Sequence, residues 1–230
     1  CFKTNKKNIK FFKNSICLVS YLINFKIIEK EGDHVFFSDY FNDLPKLLIH
    51  YDLKINWLHF EVNKKLTKKF HQSQNVNNRL DNQYYRHSVV GNMLDFRVFI
   101  SSLVVFIKVT FKIYLIRKVK NLFEVEGTDV NFFYFLKDDW ISSSRGSQLF
   151  FSIMTIKLFD KLFSKMPKQN LGIFLLENQA WEKAFLSAWK RYSHGKLIGI
   201  DHTTGLLRYW DLRFYKSKNF FRSASRIRVT

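Results

Sequence analysis

Apolar runs alternate with helix-like segments along this chain, and the alternation predicts an α/β fold. Residues 15–25 (SICLVSYLINF) and 55–62 (INWLHFEV) are rich in β-branched and aromatic side chains, as buried strands are. Between them, Asp43 is followed by Leu44 and Pro45. This order favours a helix start, because aspartate caps helices and proline suits their first turn. We therefore expect a strand–helix–strand unit in the first part of the chain.

A second unit of this kind lies further along. The uncharged run Leu171–Leu176 predicts a strand that is covered on both faces. Over residues 181–192 the apolar positions recur every three or four residues, as on one face of a helix. Gly195 follows where such a helix would end, and Lys196–Ile200 is another largely apolar run. The spacing predicts a βαβ unit with two parallel strands.

The middle of the chain has a weaker pattern. Residues 63–87 are polar and lack a clear period, which predicts a loop or an irregular helical excursion before a helical pattern over 94–120. Residues 130–136 (VNFFYFL) predict a strand, residues 138–148 (DDWISSSRGSQ) a loop, and residues 149–166 an amphipathic helix.

Together these segments predict a Rossmann-like domain, that is, a parallel sheet flanked by helices. We expect it to occupy residues 1–204, with an irregular or helical excursion over residues 63–120. The chain begins with Cys1 and ends without an obvious structural close, so we also expect a fragment of a longer protein.

Composition adds a strong positive charge to this picture. Lys and Arg number 38 against 19 Asp and Glu, a net charge of +19 that attracts anionic surfaces. The basic residues are scattered and no nucleic-acid-binding signature accompanies them, so we expect no specific nucleic-acid partner. The two cysteines fit no metal pattern, and we expect neither a metal site nor a disulfide framework. A reducing cytoplasm is the corresponding location.

One segment is apolar over nearly the length of a membrane-spanning helix. Residues 98–116 (VFISSLVVFIKVTFKIYLI) approach the length of a spanning helix, but Lys108 and Lys112 lie inside it, four residues apart on one face. A basic amphipathic helix, packed in the core or lying on an anionic membrane surface, fits better than a span. Of the three interpretations, we expect the core helix. No signal peptide is legible, so we expect a cytoplasmic protein, with peripheral contact at the inner membrane face left open.

Polar side chains follow both strands of the later unit. Glu177 comes after the first strand, and Asp201 and His202 come after the second. In a right-handed βαβ unit these ends lie on one edge of the sheet, where open α/β sheets bind ligands. An imidazole and a carboxylate there can perform acid–base chemistry or bind phosphate and sugar hydroxyls. The structural alternative is that Glu177 stabilises a helix N-terminus and His202 bonds a loop carbonyl.

A further candidate is the serine-rich stretch 142–147, where free backbone amides and Arg145 can hold phosphate. Serine capping and a glycine turn are the structural alternative. The chain contains no dinucleotide-binding, P-loop, GxSxG or HExxH signature, which removes support for dehydrogenase, NTPase, ordinary serine hydrolase and zinc-protease functions. Two carboxylates, Glu177 and Asp201, keep glycoside hydrolysis open.

Residues 176–215 (LENQAWEKAFLSAWKRYSHGKLIGIDHTTGLLRYWDLRFY) resemble a bacterial family of surface carbohydrate biosynthesis proteins, which are glycosyltransferase-like and act in O-antigen or capsule assembly. LVSYL at 18–22, INWLHF at 55–60 and the Ser-Arg-Gly at 144–146 agree with it. The resemblance implies a GT-B-like architecture of two facing Rossmann-type lobes. This chain would then be the N-terminal lobe, with residues 205–230 as the exit segment towards a C-terminal lobe.

The resemblance also implies roles for individual residues. One family segment, Glu-x-x-x-Trp-Glu, matches at Glu177, Trp181 and Glu182, and another, Trp-Asp-Leu-Arg, matches at 210–213. His202 matches the histidine of the Gln-His-Gly found in many polysaccharide enzymes, whereas its two neighbours do not. The catalytic candidates are His202, Glu177 and Asp201. The substrate-binding candidates are Glu182, Trp181, Arg145, Thr203, Trp210, Asp211 and Arg213.

Each match also has a structural alternative. Trp181 can belong to the core, Glu182 can lie on a solvated helix face, and Asp211 with Arg213 can lock the exit loop.

The resulting hypothesis is transfer of a sugar from a nucleotide-activated donor to a hydroxyl of a glycan or lipid-linked acceptor. No tightly bound cofactor is expected, because the nucleotide sugar is a substrate, and most of its nucleotide would bind the C-terminal lobe. The alternative, from another class of function, is a non-catalytic membrane-surface module that uses its basic helices to bind anionic lipid.

Overall fold

The structure is a computed structural model. It describes residues 10–30, 33–61, 65, 67–68, 70, 80–116, 119–125, 127–177 and 179–201, and for residues 29–30, 33–35 and 201 the backbone only.

Five parallel strands form the central sheet. In chain order they are β1 (Ile16–Tyr21), β4 (Ile55–Phe60), β5 (Tyr85–Val89), β6 (Leu171–Leu176) and β7 (Lys196–Asp201). Their order across the sheet is β5-β4-β1-β6-β7, and every neighbouring pair is parallel. The first strand is therefore central, and the chain moves outward from it first to one side and then to the other. This is the order of the Rossmann-type doubly wound sheet, and it confirms the predicted fold class.

The remaining elements flank this sheet. The antiparallel strands β2 (Phe25–Lys30) and β3 (Asp33–Ser38) and helix α1 (Leu44–His50) lie between β1 and β4 in the chain. Three long helices, α2 (Phe96–Tyr114), α3 (Phe133–Arg145) and α4 (Ser147–Lys165), connect β5 with β6. Helix α5 (Ala180–Arg191) connects β6 with β7. Short 3-10 turns cover Val90–Met93 and Val119–Phe123.

Each face of the sheet has its own apolar core. On one face, α4 and α5 interlock through Phe159, Phe163, Phe185 and Trp189, all at most 2% exposed. On the other face, Phe36, Phe41 and Trp57 form a second cluster, against which α1 packs. Because both faces are covered, the central strands are nearly uncharged, as parallel sheets require.

A polar network closes the N-terminal edge of the sheet. The Asn56 Nδ2 atom donates to Ser15 Oγ at 2.7 Å and to Gln169 Oε1 at 2.8 Å. The backbone of Phe12 donates to Asn56 Oδ1 at 3.0 Å and accepts from Gln169 Nε2 at 2.9 Å. The buried amides are thus paired, and they hold the entering chain against β4 and the start of β6.

Several predicted elements are confirmed. The strand Leu171–Leu176 has the predicted bounds, β7 extends one residue past the predicted Lys196–Ile200, and Pro45 lies in the first turn of α1. Gly195 does not end the intervening helix, which stops at Arg191. A Cβ atom on Gly195 would lie 2.0 Å from the Asn170 carbonyl oxygen, so the glycine is needed for close backbone approach.

Two predictions from the middle of the chain are wrong. Residues 130–136 are not a strand and residues 138–148 are not a loop, because α3 covers Phe133–Arg145 and α4 begins directly afterwards at Ser147. The physical reason is that α3 buries only Ser144, so burial imposes no helical period on its aromatic run.

Helix α2 has the predicted type but not the predicted surroundings. Its only buried residues are Val98 and Ser102. The expected core helix is therefore largely exposed along its apolar side.

Candidate functional site

The edge at which β1 and β6 end is a topological switch point. The chain leaving β1 leads to α1, which packs on one face, and the chain leaving β6 leads to α5, which packs on the other. Diverging connections leave a crevice at the carboxyl ends of these two strands, and open α/β sheets bind their ligands in such crevices.

Aromatic side chains and one carboxylate gather at this edge. Tyr21 ends β1, Phe60 ends β4, Glu177 follows β6, and Trp181 lies in the first turn of α5. The Trp181 ring centroid lies 5.6 Å from that of Tyr21 and 4.8 Å from that of Phe60. With Tyr40, these residues are half-buried, and we call the five the switch-point cluster.

Hydrogen bonds and charge order the cluster. Trp181 Nε1 donates to the Tyr21 hydroxyl at 2.6 Å, and the Tyr21 hydroxyl in turn bonds the Glu177 carboxylate. Burial raises the pKa of Tyr21 to about 12, and the negative charge of Glu177 acts in the same direction. The pKa of Tyr40 is raised for the same two reasons, while its hydroxyl accepts from Asn24 Nδ2 at 3.3 Å. Both phenols therefore stay protonated and can act as donors near the carboxylate.

Glu182 positions the loop that carries Glu177. Its Oε1 atom accepts the backbone N–H of Glu177 at 2.7 Å and that of Gln179 at 3.0 Å. The residue is 3% exposed, so the solvated-face alternative is wrong. A buried carboxylate is stabilised here because it meets the positive end of the α5 dipole and accepts two backbone N–H groups. Its contacts make Glu182 a positioning residue for Glu177.

Asp201 and His202, the predicted partners of Glu177, belong to or follow β7, which borders β6 on the side away from β1. Leu176 pairs in register with Asp201, so the chain leaves β6 and β7 at the same edge, as the βαβ spacing predicts. His202, Thr203, Trp210, Asp211 and Arg213 lie outside the described residues. Their proposed roles stay predictions.

Arg145 lies elsewhere than predicted. It is an exposed residue in the last turn of α3, and the serine-rich stretch expected as a phosphate-binding loop is helical through Arg145. The backbone amides of residues 142–145 are therefore part of a helix, and they are not the loop amides that the predicted phosphate site requires.

Metal sites and membrane-spanning helices are two other features that bear on function. Among the described residues, no three His, Cys, Asp or Glu side chains come together to hold a metal ion. Within the same part of the chain, every helix is too short or too polar to cross a lipid bilayer.

Sequence reasoning missed a buried pair of histidines. His59 on β4 and His87 on β5 are at most 5% exposed, and His59 Nε2 lies 2.9 Å from His87 Nδ1. Their rings are parallel to each other and to the Trp57 indole, within 10°. Burial lowers the pKa of His87 to about 3, so it is neutral at physiological pH. The pair lies inside the core and is a structural feature.

Sequence reasoning also missed Tyr21 and Tyr40. The signal that could have found Tyr21 is its position at the end of the first strand, because in a Rossmann-type order that strand borders the switch point. Tyr40 reaches the same edge through the β2–β3 pair, which the sequence pattern did not predict.

Comparison with known proteins adds no relative: no family model matches the chain, and no match was found among curated proteins or solved structures. The resemblance to surface carbohydrate biosynthesis proteins therefore remains a proposal.

Proposed function

We propose that this chain is the Rossmann-like lobe of a glycosyltransferase-like protein of bacterial surface polysaccharide biosynthesis, and that the switch-point cluster binds the acceptor sugar. One observation carries the proposal: a carboxylate, Glu177, lies at the switch point bonded to Tyr21 and flanked by Trp181. This is where the fold places ligands, and the groups present are those that recognise a sugar.

The chemistry of the cluster suits a carbohydrate. Hydroxyl groups of a sugar can donate to the Glu177 carboxylate, and the Tyr21 and Tyr40 phenols stay protonated because their pKa values are raised, so neither adds a second negative charge to the site. The half-buried rings of Trp181 and Phe60 offer apolar surface to the C–H face of the sugar.

In the proposed reaction, the acceptor hydroxyl oxygen attacks the anomeric carbon of the donor. The bond between that carbon and the phosphate oxygen breaks, and the nucleotide leaves with the electron pair. The hydroxyl proton goes to His202 as general base, while Glu177 orients the acceptor. The donor phosphates would bind chiefly in another lobe. In agreement with this, β1 leads into the β2–β3 pair and not into a glycine-rich loop followed by a helix.

A binding experiment tests the acceptor site directly. Saturation-transfer NMR with the methyl glycosides of glucose, galactose and mannose should detect at least one bound sugar. Glu177→Gln should weaken that binding by about 10- to 100-fold, because a hydrogen bond to a charged group contributes about 1.5–3 kcal/mol. Asp52→Asn is the matched control, because this exposed carboxylate lies at the opposite edge of the sheet. Equal binding by Glu177→Gln and Asp52→Asn would refute the acceptor site.

The catalytic part has its own test. His202→Ala in the full-length protein should abolish surface glycan while leaving the circular dichroism spectrum unchanged. Surface glycan that persists in this variant would remove His202 from the mechanism.

A further inference from the structure

Helix α2 displays a continuous apolar stripe to solvent. Phe96 is 74% exposed, Ile107 58%, Phe111 63% and Tyr114 75%. The residues of the stripe recur at the spacing of one helix face. They are Phe96, Ile100, Leu103, Val104, Ile107, Phe111 and Tyr114. The helix buries only Val98 and Ser102, so most of its apolar side is not used by the fold.

Basic side chains border the stripe on one side. Arg97, Lys108 and Lys112 are exposed and lie next to the apolar positions on the helix surface. The sequence of α2 contains no acidic residue, so the charged side chains within the helix are all positive. The whole chain carries a net charge of +19, which attracts the same kind of partner.

Helix α3 also presents exposed aromatic side chains beside a basic side chain. In α3, which packs against α2, Tyr134 is 71% and Phe135 84% exposed. The Lys120 ammonium lies 5.4 Å from the Tyr134 ring centroid. Exposed aromatic and basic side chains therefore continue beyond α2.

We infer that the α2 stripe is a docking face for an anionic lipid bilayer, on which the helix lies parallel to the membrane plane. The stripe runs the whole length of the 19-residue helix, which is about 27 Å. Its aromatic and aliphatic side chains can enter the boundary between headgroups and acyl chains, while the bordering cations meet lipid phosphates. The cations beside the stripe and the net charge of +19 favour an anionic partner such as this bilayer. This face is separate from the switch-point cluster, and the inference does not depend on the proposed sugar transfer.

Vesicle sedimentation tests the apolar part of the face. The 230-residue chain should bind phosphatidylcholine vesicles that contain about 30% phosphatidylglycerol, and bind pure phosphatidylcholine more weakly. Ile107→Asp/Phe111→Asp should weaken binding about tenfold or more, because two side chains no longer enter the bilayer. Leu47→Asp/Tyr51→Asp is the matched control, since Leu47 in α1 and Tyr51 directly after that helix are 53% and 67% exposed. Equal losses in both double variants would overturn the inference.

Charge variants provide a second, independent test. Lys108→Glu/Lys112→Glu should abolish the preference for anionic vesicles, whereas Lys10→Glu/Lys13→Glu changes the total charge equally and should retain it. Raising the salt from about 0.1 M to about 1 M shortens the screening length from about 10 Å to about 3 Å and should remove the same preference. A chain that forms dimers through α2 and binds no vesicles, as shown by light scattering, would overturn the lipid assignment in favour of a second copy.

Discussion

Acidification should destabilise this protein through a buried imidazole. His87 is 5% exposed, and its ring is parallel to the His59 ring within 5°, with 2.9 Å between their nearest nitrogens. Burial lowers its pKa from 6.5 to about 3. Protonation of both rings would place two cations at hydrogen-bond distance inside the core, which the native state avoids by remaining neutral.

The sign and size of the effect follow from linkage. Below pH 6.5 the unfolded chain binds a proton at His87, whereas the folded chain does so only near pH 3. The stabilisation is therefore present above pH 6.5 and is lost as the pH falls. Between about pH 7.5 and 4.5 the loss for this one residue is about 2.7 kcal/mol. His194 acts in the same direction. Burial, and secondly the positive charge of Lys168, lower its pKa to about 4, and its partial exposure makes the effect smaller.

The assay is urea unfolding at several pH values, followed by circular dichroism and tryptophan fluorescence. In His87→Asn the amide keeps a hydrogen-bonding group towards His59 but cannot titrate. The difference in unfolding free energy between wild type and this variant should therefore shrink by about 2.7 kcal/mol from pH 7.5 to 4.5. His50→Asn removes an exposed imidazole and should retain the wild-type pH dependence. If His87→Asn also retains it, the buried pair does not control acid stability.

Two further predictions concern packing. Gly195→Ala should lower the unfolding free energy by about 1–3 kcal/mol in urea titrations, because the added Cβ would meet the Asn170 oxygen at 2.0 Å. Gly199→Ala is the control and should cost less, because the nearest atoms there are side-chain atoms at 3.2 Å that can shift. The Cys17 thiol is fully buried and its pKa is raised by burial, so iodoacetamide should label it, as shown by peptide mass spectrometry, only in denaturant. Labelling of native protein at the denatured rate would contradict this packing.

The best-predicted part of the fold is the unit in which each element has a clear period. Leu171–Leu176 is an uninterrupted apolar run, and the helix after it repeats apolar residues at helical spacing. Local pattern and tertiary packing agree there. The bounds of the first strand were therefore predicted correctly, and the predicted helix and second strand differ from the observed ones chiefly in where they end. Gly195 shows what a local pattern cannot contain. Its sequence position suggested a helix stop, but its role depends on the close approach of the Asn170 backbone, which lies directly before β6.

Strand β5 could not be recognised from hydrophobicity. Its sequence, YRHSV, contains three polar residues, yet His87 and Ser88 are buried. Burial of His87 is possible because His59, on the neighbouring strand, supplies a partner for its ring nitrogen. A polar residue of this kind becomes compatible with the core only through a contact distant in sequence, which a local pattern cannot show.

The surroundings of Glu177 depend on strand order, which is also a property of the sheet as a whole. Strand β6 borders β7 on one side and β1 on the other, so Glu177 has two possible neighbours. The local βαβ pattern identifies only β7, with Asp201 at its end. Strand order indicates that the crevice lies on the β1 side of β6. There the Tyr21 hydroxyl bonds both Glu177 and Trp181, and Trp181 is 160 positions away from Tyr21 in the chain. The side of β6 on which the partners of Glu177 lie is therefore a property of the whole sheet, which a local pattern does not contain.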